Sequence, residues 1–364
     1  MRIAFYGSSL LSSCWNGAAT YYRGMIRALS EVGYRTTFYE PDIYGRQQNR
    51  DIDPPEWCDV VVYQPNMEDL RAVTSKAADA DIVVKASGVG YEDDALFGLL
   101  LQAAHPAALT IFWDVDAPAT LAGLAADRDL PLHRHLAETA LVLTYGGGDP
   151  VVYSYRGFGV KDCVPIYNAL DPSTHHPVAA DPRFAADLSL LANRLPDRET
   201  RVDDFFFRPA AEMPDKRFLL GGSGWDDKPM PENVSRAGHV GTRDHNAFNA
   251  SATAVLNVSR DSMAANGFSP ATRVFEAAGA GACLITDQWA GLDLFLREDV
   301  EVLVARDGKD VVEHLRHLDP AKARVIGERA RARVLREHTY SRRAVQFDEL
   351  VRGHLKRRRM EAAE

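Results

Sequence analysis

The feature that most constrains this chain is an alternation that runs through it twice. Short β-branched and aromatic runs are separated by stretches whose apolar residues recur every three or four positions. Arg2–Tyr6 predicts a strand, stopped by Gly7-Ser8-Ser9. A helix is predicted from about Gly17 to Val32, because Tyr22, Met25, Ile26 and Leu29 fall at i, i+3, i+4 and i+7 and so share one buried face. Gly33 stands where a helix end favours a left-handed residue. Further strands are predicted over 36–39, 59–63, 82–85, 109–113 and 141–145, most of them separated by helices near 67–78, 93–103 and 120–126. Parallel strands need a crossover, usually helical, so strand–helix alternation predicts a mostly parallel, doubly wound sheet.

The pattern then restarts. Strands are predicted over 188–192, 217–220, 254–258, 283–286 and 302–304, with helices over 198–211, 271–280, 310–318 and 321–337 and a last one from about Ser341. Between the halves, residues 169–186 carry prolines and histidines without periodicity, which reads as a linker. A length of 364 residues suits two domains. The expected boundaries are 1–168, 187–350 and a tail of 351–364 whose helix crosses back to the first domain.

Composition narrows the class. Hydrophobic residues at 46% and charged residues at 26% are values of a folded chain rather than a disordered one. The 42 basic against 51 acidic residues give a net charge of −9, which argues against a broad nucleic-acid surface but not against a small anion pocket. Cys14, Cys58, Cys163 and Cys283 form no CxxC pair, so no zinc spacing appears and a reducing, cytoplasmic location is expected. The longest apolar region, 96–113, is interrupted by Gln102, His105 and Pro106, so no transmembrane span is expected. His105, His175 and His176 lack metal-ligand companions at helical spacing and read as structural or exposed. The arginines of 324–336 and Lys356-Arg357-Arg358-Arg359 read as solvated charge.

Three segments carry chemistry. The loop from Gly7 to Ala18, with Ser9, Asn16 and Gly17, follows the first strand, and small residues there let backbone N–H groups approach a ligand. It is not GxGxxG, which argues against a dinucleotide enzyme. Asp114-Val115-Asp116-Ala117-Pro118 ends a strand: Asp114 is a candidate general base, Asp116 a helix cap, and the pair an alternative metal and diphosphate ligand. In the second half, Arg260, then Ser269-Pro270 and a helix bearing Arg273 and Glu276, combine small residues, a helix N-terminus and guanidinium groups suited to phosphate.

These segments carry a resemblance. Residues 273–281 (Arg-Val-Phe-Glu-Ala-Ala-Gly-Ala-Gly), followed by Leu284-Ile285-Thr286-Asp287, resemble the donor-site segment of GT-B glycosyltransferases, closest to the CgeB-like (spore-maturation-type) group. Asp114–Pro118, Asp187–Arg194, Leu220–Trp225 and Val255–Arg260 are similar to that group in the same order. The resemblance implies an α/β GT-B fold, two Rossmann-like doubly wound domains facing across a cleft. It implies a nucleotide sugar on the C-terminal domain and an unknown acceptor from the N-terminal one. Carried over by position, Glu276 binds the donor ribose, Arg273 and the backbone at Ser269 hold the diphosphate, Asn193 and Arg194 approach phosphate, and His239 and Val240 lie near the base. Gly222 and Ser223 join the donor set. Many retaining relatives have a second acid eight residues before that Glu; Phe268 stands there.

The reading that follows is a metal-independent glycosyltransferase with no resident cofactor, and Asp114 as base if the reaction inverts. The alternatives are a metal-dependent transferase using Asp114 and Asp116, or a non-catalytic nucleotide-sugar-binding protein.

Overall fold

The computed structural model describes residues 1–14 and 16–361; Trp15 of the first loop and residues 362–364 of the expected tail lie outside the described residues. The chain divides into two compact units, Met1–Tyr167 with the segment from Tyr340 onward, and Asn168–Thr339.

The first unit holds β1 (Arg2–Tyr6), β2 (Arg35–Pro41), β3 (Asp59–Tyr63), β4 (Ile82–Ala86), β5 (Leu109–Asp114), β6 (Leu141–Thr144) and β7 (Cys163–Pro165). They form one sheet in the order β3-β2-β1-β4-β5-β6-β7. Every pairing is parallel. In this unit β7, three residues long, has no counterpart in the sequence reading. The second unit holds β8 (Ala186–Leu191), β9 (Phe218–Gly221), β10 (Val234–Gly238), β11 (Ala252–Asn257), β12 (Leu284–Asp287) and β13 (Leu303–Ala305). This all-parallel sheet runs β10-β9-β8-β11-β12-β13. β4, β6 and β8 are buried along nearly their whole length, as expected for strands covered by helices on both faces.

The unit boundaries differ from those expected. The last helix, Tyr340–Glu361, belongs wholly to the first unit, so residues 340–350 are not part of the second. Its Tyr340, Ala344, Phe347 and Val351 form a buried stripe at helical spacing. Phe347 stacks on Trp113 at 5.5 Å, and Tyr34 donates a hydrogen bond to Asp348. Gly24 is required opposite it, because a Cβ there would lie 2.3 Å from the Tyr340 ring. Each buried aromatic of this stripe stabilises the docking by roughly 1.5–3 kcal/mol. Residues 169–186, read as a linker, are part of the second unit: the Leu170 N–H bonds the His338 carbonyl, and Phe184 packs on Phe248.

The helical stretch expected over 198–211 is broken into Pro196–Val202, a π-helical turn Asp203–Phe207 and Arg208–Glu212. The π turn lets three consecutive residues, Phe205, Phe206 and Phe207, all reach the core.

Candidate functional site

In the first unit the strand order reverses at β1, which pairs with β2 on one side and β4 on the other. Loops after β1 and β4 therefore leave in opposite directions and open a crevice at the strand ends. The loop after β1 is braced from within. Ser9 Oγ donates to Glu40 and accepts the Ser12 N–H. Glu40, at the end of β2 and fully buried, also accepts from the Leu10 and Leu11 N–H groups and from Gln47. Asn16 donates to the Ser9 and Ser12 carbonyls and accepts from Ser8. Ser9 and Asn16, expected to face an acceptor, instead spend their polar atoms shaping the loop; Gly17 is exposed. Sequence reasoning missed Glu40, whose signal was a lone acid in an apolar strand. It also missed Arg46, whose Nη1 donates to the Ser8 and Val89 carbonyls and thereby ties the β1 and β4 loops together.

Asp114 is corrected. Its side chain is fully buried at the end of β5. Oδ1 accepts from Ser87 Oγ at 2.6 Å, the Asp116 N–H at 2.9 Å and Thr120 Oγ1 at 3.1 Å, while Oδ2 accepts from Tyr155. With both oxygens accepting hydrogen bonds and no exposed surface, Asp114 braces the end of β5, and this geometry does not support its assignment as a base. Burial raises its pKa, against the lowering effect of those donors. Asp116 occupies the N-cap position of the helix Ala117–Ala126, and its carbonyl receives the Thr120 N–H.

In the second unit the order reverses at β8, which lies between β9 and β11. Gly222 follows β9 with φ of +116°, and a Cβ would stand 2.1 Å from the Ala192 carbonyl oxygen. That close approach joins the β8 and β9 loops, and Asn193 Oδ1 fixes it by accepting the Ser223 N–H. Arg194 is corrected. Its guanidinium is bound by Glu199 through two hydrogen bonds and by Asp227 through a third, so its charge is already matched. Asn193 Oδ1 and the Ser223 N–H thus order the loops, and both residues are exposed.

The loops after β8, β11 and β12 bring a basic cluster together. Arg260 Nε bonds Asp197 at 2.5 Å. Arg201 bonds the fully buried Asp287 at 2.7 Å, whose other oxygen accepts the Ser259 N–H and hydroxyl. Arg198 and Arg273 differ. Nε of Arg198 and Nη1 of Arg273 are buried with no hydrogen-bond partner. Burial pulls both guanidinium pKa values down, and at Arg198 the neighbouring charges of Arg260 and Arg273 add to it. A buried cation with unmatched donors is stabilised by an added anion. Arg198 was missed by the sequence reading, its signal being only its place in the first turns after β8.

Arg273 and Glu276 lie on the helix Thr272–Gly279, which starts two residues later than Pro270. Phe268, directly after Gly267, which also has positive φ, adopts φ of +49°, and its ring lies over Gly291. Ser269 is buried beside it. Glu276 is buried, with Oε2 3.9 Å from Arg273 Nη2 and Oε1 3.7 Å from His175 Nε2. Despite burial, which acts to raise it, the charges of His175, Arg273 and His245 hold the Glu276 carboxyl below its ordinary value. His175, read as structural or exposed, is buried against Glu276, and His245 joins it. His239 is exposed, and the Val240 side chain is a core residue packed with Phe248 and Leu219. The sequence reading thus brought Arg260, Ser269, Arg273 and Glu276 to one region, but not Arg194 or Asp114.

Comparison with known proteins agrees with this architecture. Residues 198–349 match a glycosyl transferase-like family. The sucrose-phosphate synthase from Thermosynechococcus elongatus superposes with a TM-score of 0.69 at 15% identity, covering 100% of both chains. An α-glucosyltransferase in complex with UDP gives 0.72 at 12% identity, over 96% of this chain and 99% of that one. Anabaena HepE in complex with UDP and glucose gives 0.67 at 11% identity, over 97% and 100%. The fold is that of GT-B glycosyltransferases, two Rossmann-like domains. No curated protein matches the sequence at a significant level. Among the described residues, no helix is long and apolar enough to cross a membrane.

Proposed function

We propose that this chain, a glycosyltransferase of the GT-B type, moves a sugar from a nucleoside-diphosphate donor held by the second unit to an acceptor handled by the loops of the first. The observation that carries the reading is the pair of buried guanidinium nitrogens without a hydrogen-bond partner, Nε of Arg198 and Nη1 of Arg273, in the segments around the buried acid Glu276. A nucleoside diphosphate supplies what this arrangement lacks: phosphate oxygens for the arginines and a ribose diol for the carboxylate. As the glycosidic bond breaks, negative charge grows on the leaving diphosphate. Preorganised guanidinium groups stabilise that charge directly, so the reading needs no essential metal. Glu276, kept ionised by its neighbours, accepts hydrogen bonds from the ribose hydroxyls. UDP is the first donor base to test, since it is bound in the α-glucosyltransferase and HepE structures.

The order of the motifs favours a CgeB-like variant, and the four free cysteines fit a cytoplasmic location. The test is a thermal-shift and calorimetric panel of nucleoside diphosphates and nucleotide sugars, because a ligand specific for the folded state raises its stability by mass action. One member of the panel is expected to bind and to lose affinity in Arg273→Ala. A flat response to every nucleoside diphosphate overturns the proposal. Binding without release of nucleoside diphosphate, with any acceptor fraction, favours a non-catalytic nucleotide-sugar-binding protein.

A further inference from the structure

Beside the arginine cluster, His175, His245 and Glu276 of the second unit bring one ligating atom each close together. These atoms lie within 4.8 Å of one another. Two histidine nitrogens and one carboxylate oxygen are a donor set suited to zinc, with a fourth position left for water. A tetrahedral site with bonds of about 2.0–2.1 Å has edges of roughly 3.3 Å, so side-chain torsions closing the triangle's edges by at most about 1.5 Å complete it.

The surroundings are those of a built site. Nε2 of His175 is buried, faces Glu276 Oε1 at 3.7 Å and has no hydrogen-bond partner; Nδ1 of His245 is also buried and without one. The other ring nitrogen of His175, Nδ1, lies 3.0 Å from Thr174 Oγ1, the kind of outer contact that orients a metal-binding imidazole. Asn246, next to His245, clamps the segment that carries His175: it donates to the Thr174 carbonyl and accepts the His176 N–H. The two histidines, 70 residues apart, are thus held in register by the residue between their segments. The Glu276 oxygens divide the charge: Oε2 faces Arg273, whereas Oε1 faces His175. A cation on the histidine side therefore meets the carboxylate by the oxygen turned away from the arginine.

We propose that His175, His245 and Glu276 form a zinc-binding site that shares Glu276 with the donor ribose, so that zinc and nucleotide exclude each other. The sharing rests on the assignment of Glu276 to the ribose; the metal site itself does not. Zinc here is an inhibitor or regulator of donor binding, not a participant in transfer.

The test uses the full chain after treatment with a chelator. Co2+ serves as a spectroscopic stand-in, because its visible d–d bands report a four-coordinate site, and Zn2+ binding is read by calorimetry. One site per chain is expected, weakened at least about tenfold in both His175→Ala and His245→Ala. His317→Ala, which removes an exposed histidine paired with Glu313, is expected to leave it unchanged. Thermal melts of the variants check that they remain folded. Absence of a Co2+ spectrum in the wild type, or binding unaltered in both pocket variants, overturns the site. UDP is then titrated with and without Zn2+. Mutual weakening supports the shared Glu276. Independent binding of UDP and metal overturns the sharing while leaving the metal site in place. Binding of metal with no response to any nucleoside diphosphate strikes the proposed function alone.

Discussion

Removing the Asp114 carboxylate separates structure from chemistry in the first unit. Asp114→Ala removes the buried acceptor of the Ser87 and Tyr155 hydroxyls and the Asp116 N–H, and one of the two acceptors of the Thr120 hydroxyl. Hydrogen bonds to a carboxylate are worth about 1.5–3 kcal/mol each, but four that share one acceptor group are far from additive. A net loss of about 3–5 kcal/mol is expected, the upper range for single substitutions. In a unit of this size, that lowers the melting temperature by about 6–20 °C. Tyr155→Phe, which removes a single donor, should lose about 1.5–3 kcal/mol. Differential scanning calorimetry measures both, and a double-mutant cycle should show strong coupling between them. UDP affinity, which the proposed function assigns to the second unit, should be unchanged. If Asp114→Ala melts within about 2 °C of the wild type yet abolishes turnover, the carboxylate is a chemical group and its assignment as a structural brace is wrong.

Three further expectations follow from the same geometry. Arg198→Ala and Arg273→Ala should each weaken UDP binding by about 1.5–3 kcal/mol, measured by calorimetry; unchanged affinity in both would remove the phosphate site. Arg194→Ala should leave that affinity within about twofold, since surface ion pairs such as those with Glu199 and Asp227 are energetically minor; a tenfold loss would restore Arg194 to the donor site. Burial raises the Asp114 carboxyl above its unfolded value of about 3.9. Its contribution to stability is therefore full below that value and is lost as pH rises through the folded pKa. Urea titrations should show the wild type losing stability relative to Asp114→Asn as pH rises from about 4, and a parallel course would contradict the raised pKa.

The strands and most long helices were legible because each carries its own period: Arg2–Tyr6 and Asp59–Tyr63 begin and end where expected. β7, β10 and the π turn at Asp203–Phe207 were not: β7 is three residues long, β10 (Val-Ser-Arg-Ala-Gly) has no apolar run, and a π turn is set by core packing. At the site, Arg273 and Glu276 were legible from their helical spacing and the small residues around them. Arg194 misled because a sequence does not show that Glu199 and Asp227 will claim its guanidinium. Asp114 misled for the same reason, its partners Ser87 and Tyr155 being 27 and 41 residues away. Glu40, Arg198, His175 and His245 gain meaning only when distant segments meet, and local pattern carries no trace of that.

The docking of Tyr340–Glu361 on the first sheet has a consequence for the order of synthesis. The first unit is drawn from both ends of the described chain, whereas the second is one continuous stretch, Asn168–Thr339. As the chain is made, β1–β7 emerge early, but Trp113 and Tyr34 must wait for Phe347 and Asp348 before that face is covered. The second unit has all its residues before the first unit is complete. A stop codon just before Tyr340 would therefore take nothing from the second unit and would leave the first with an open apolar face, so its damage would fall at the opposite end of the sequence from the truncation.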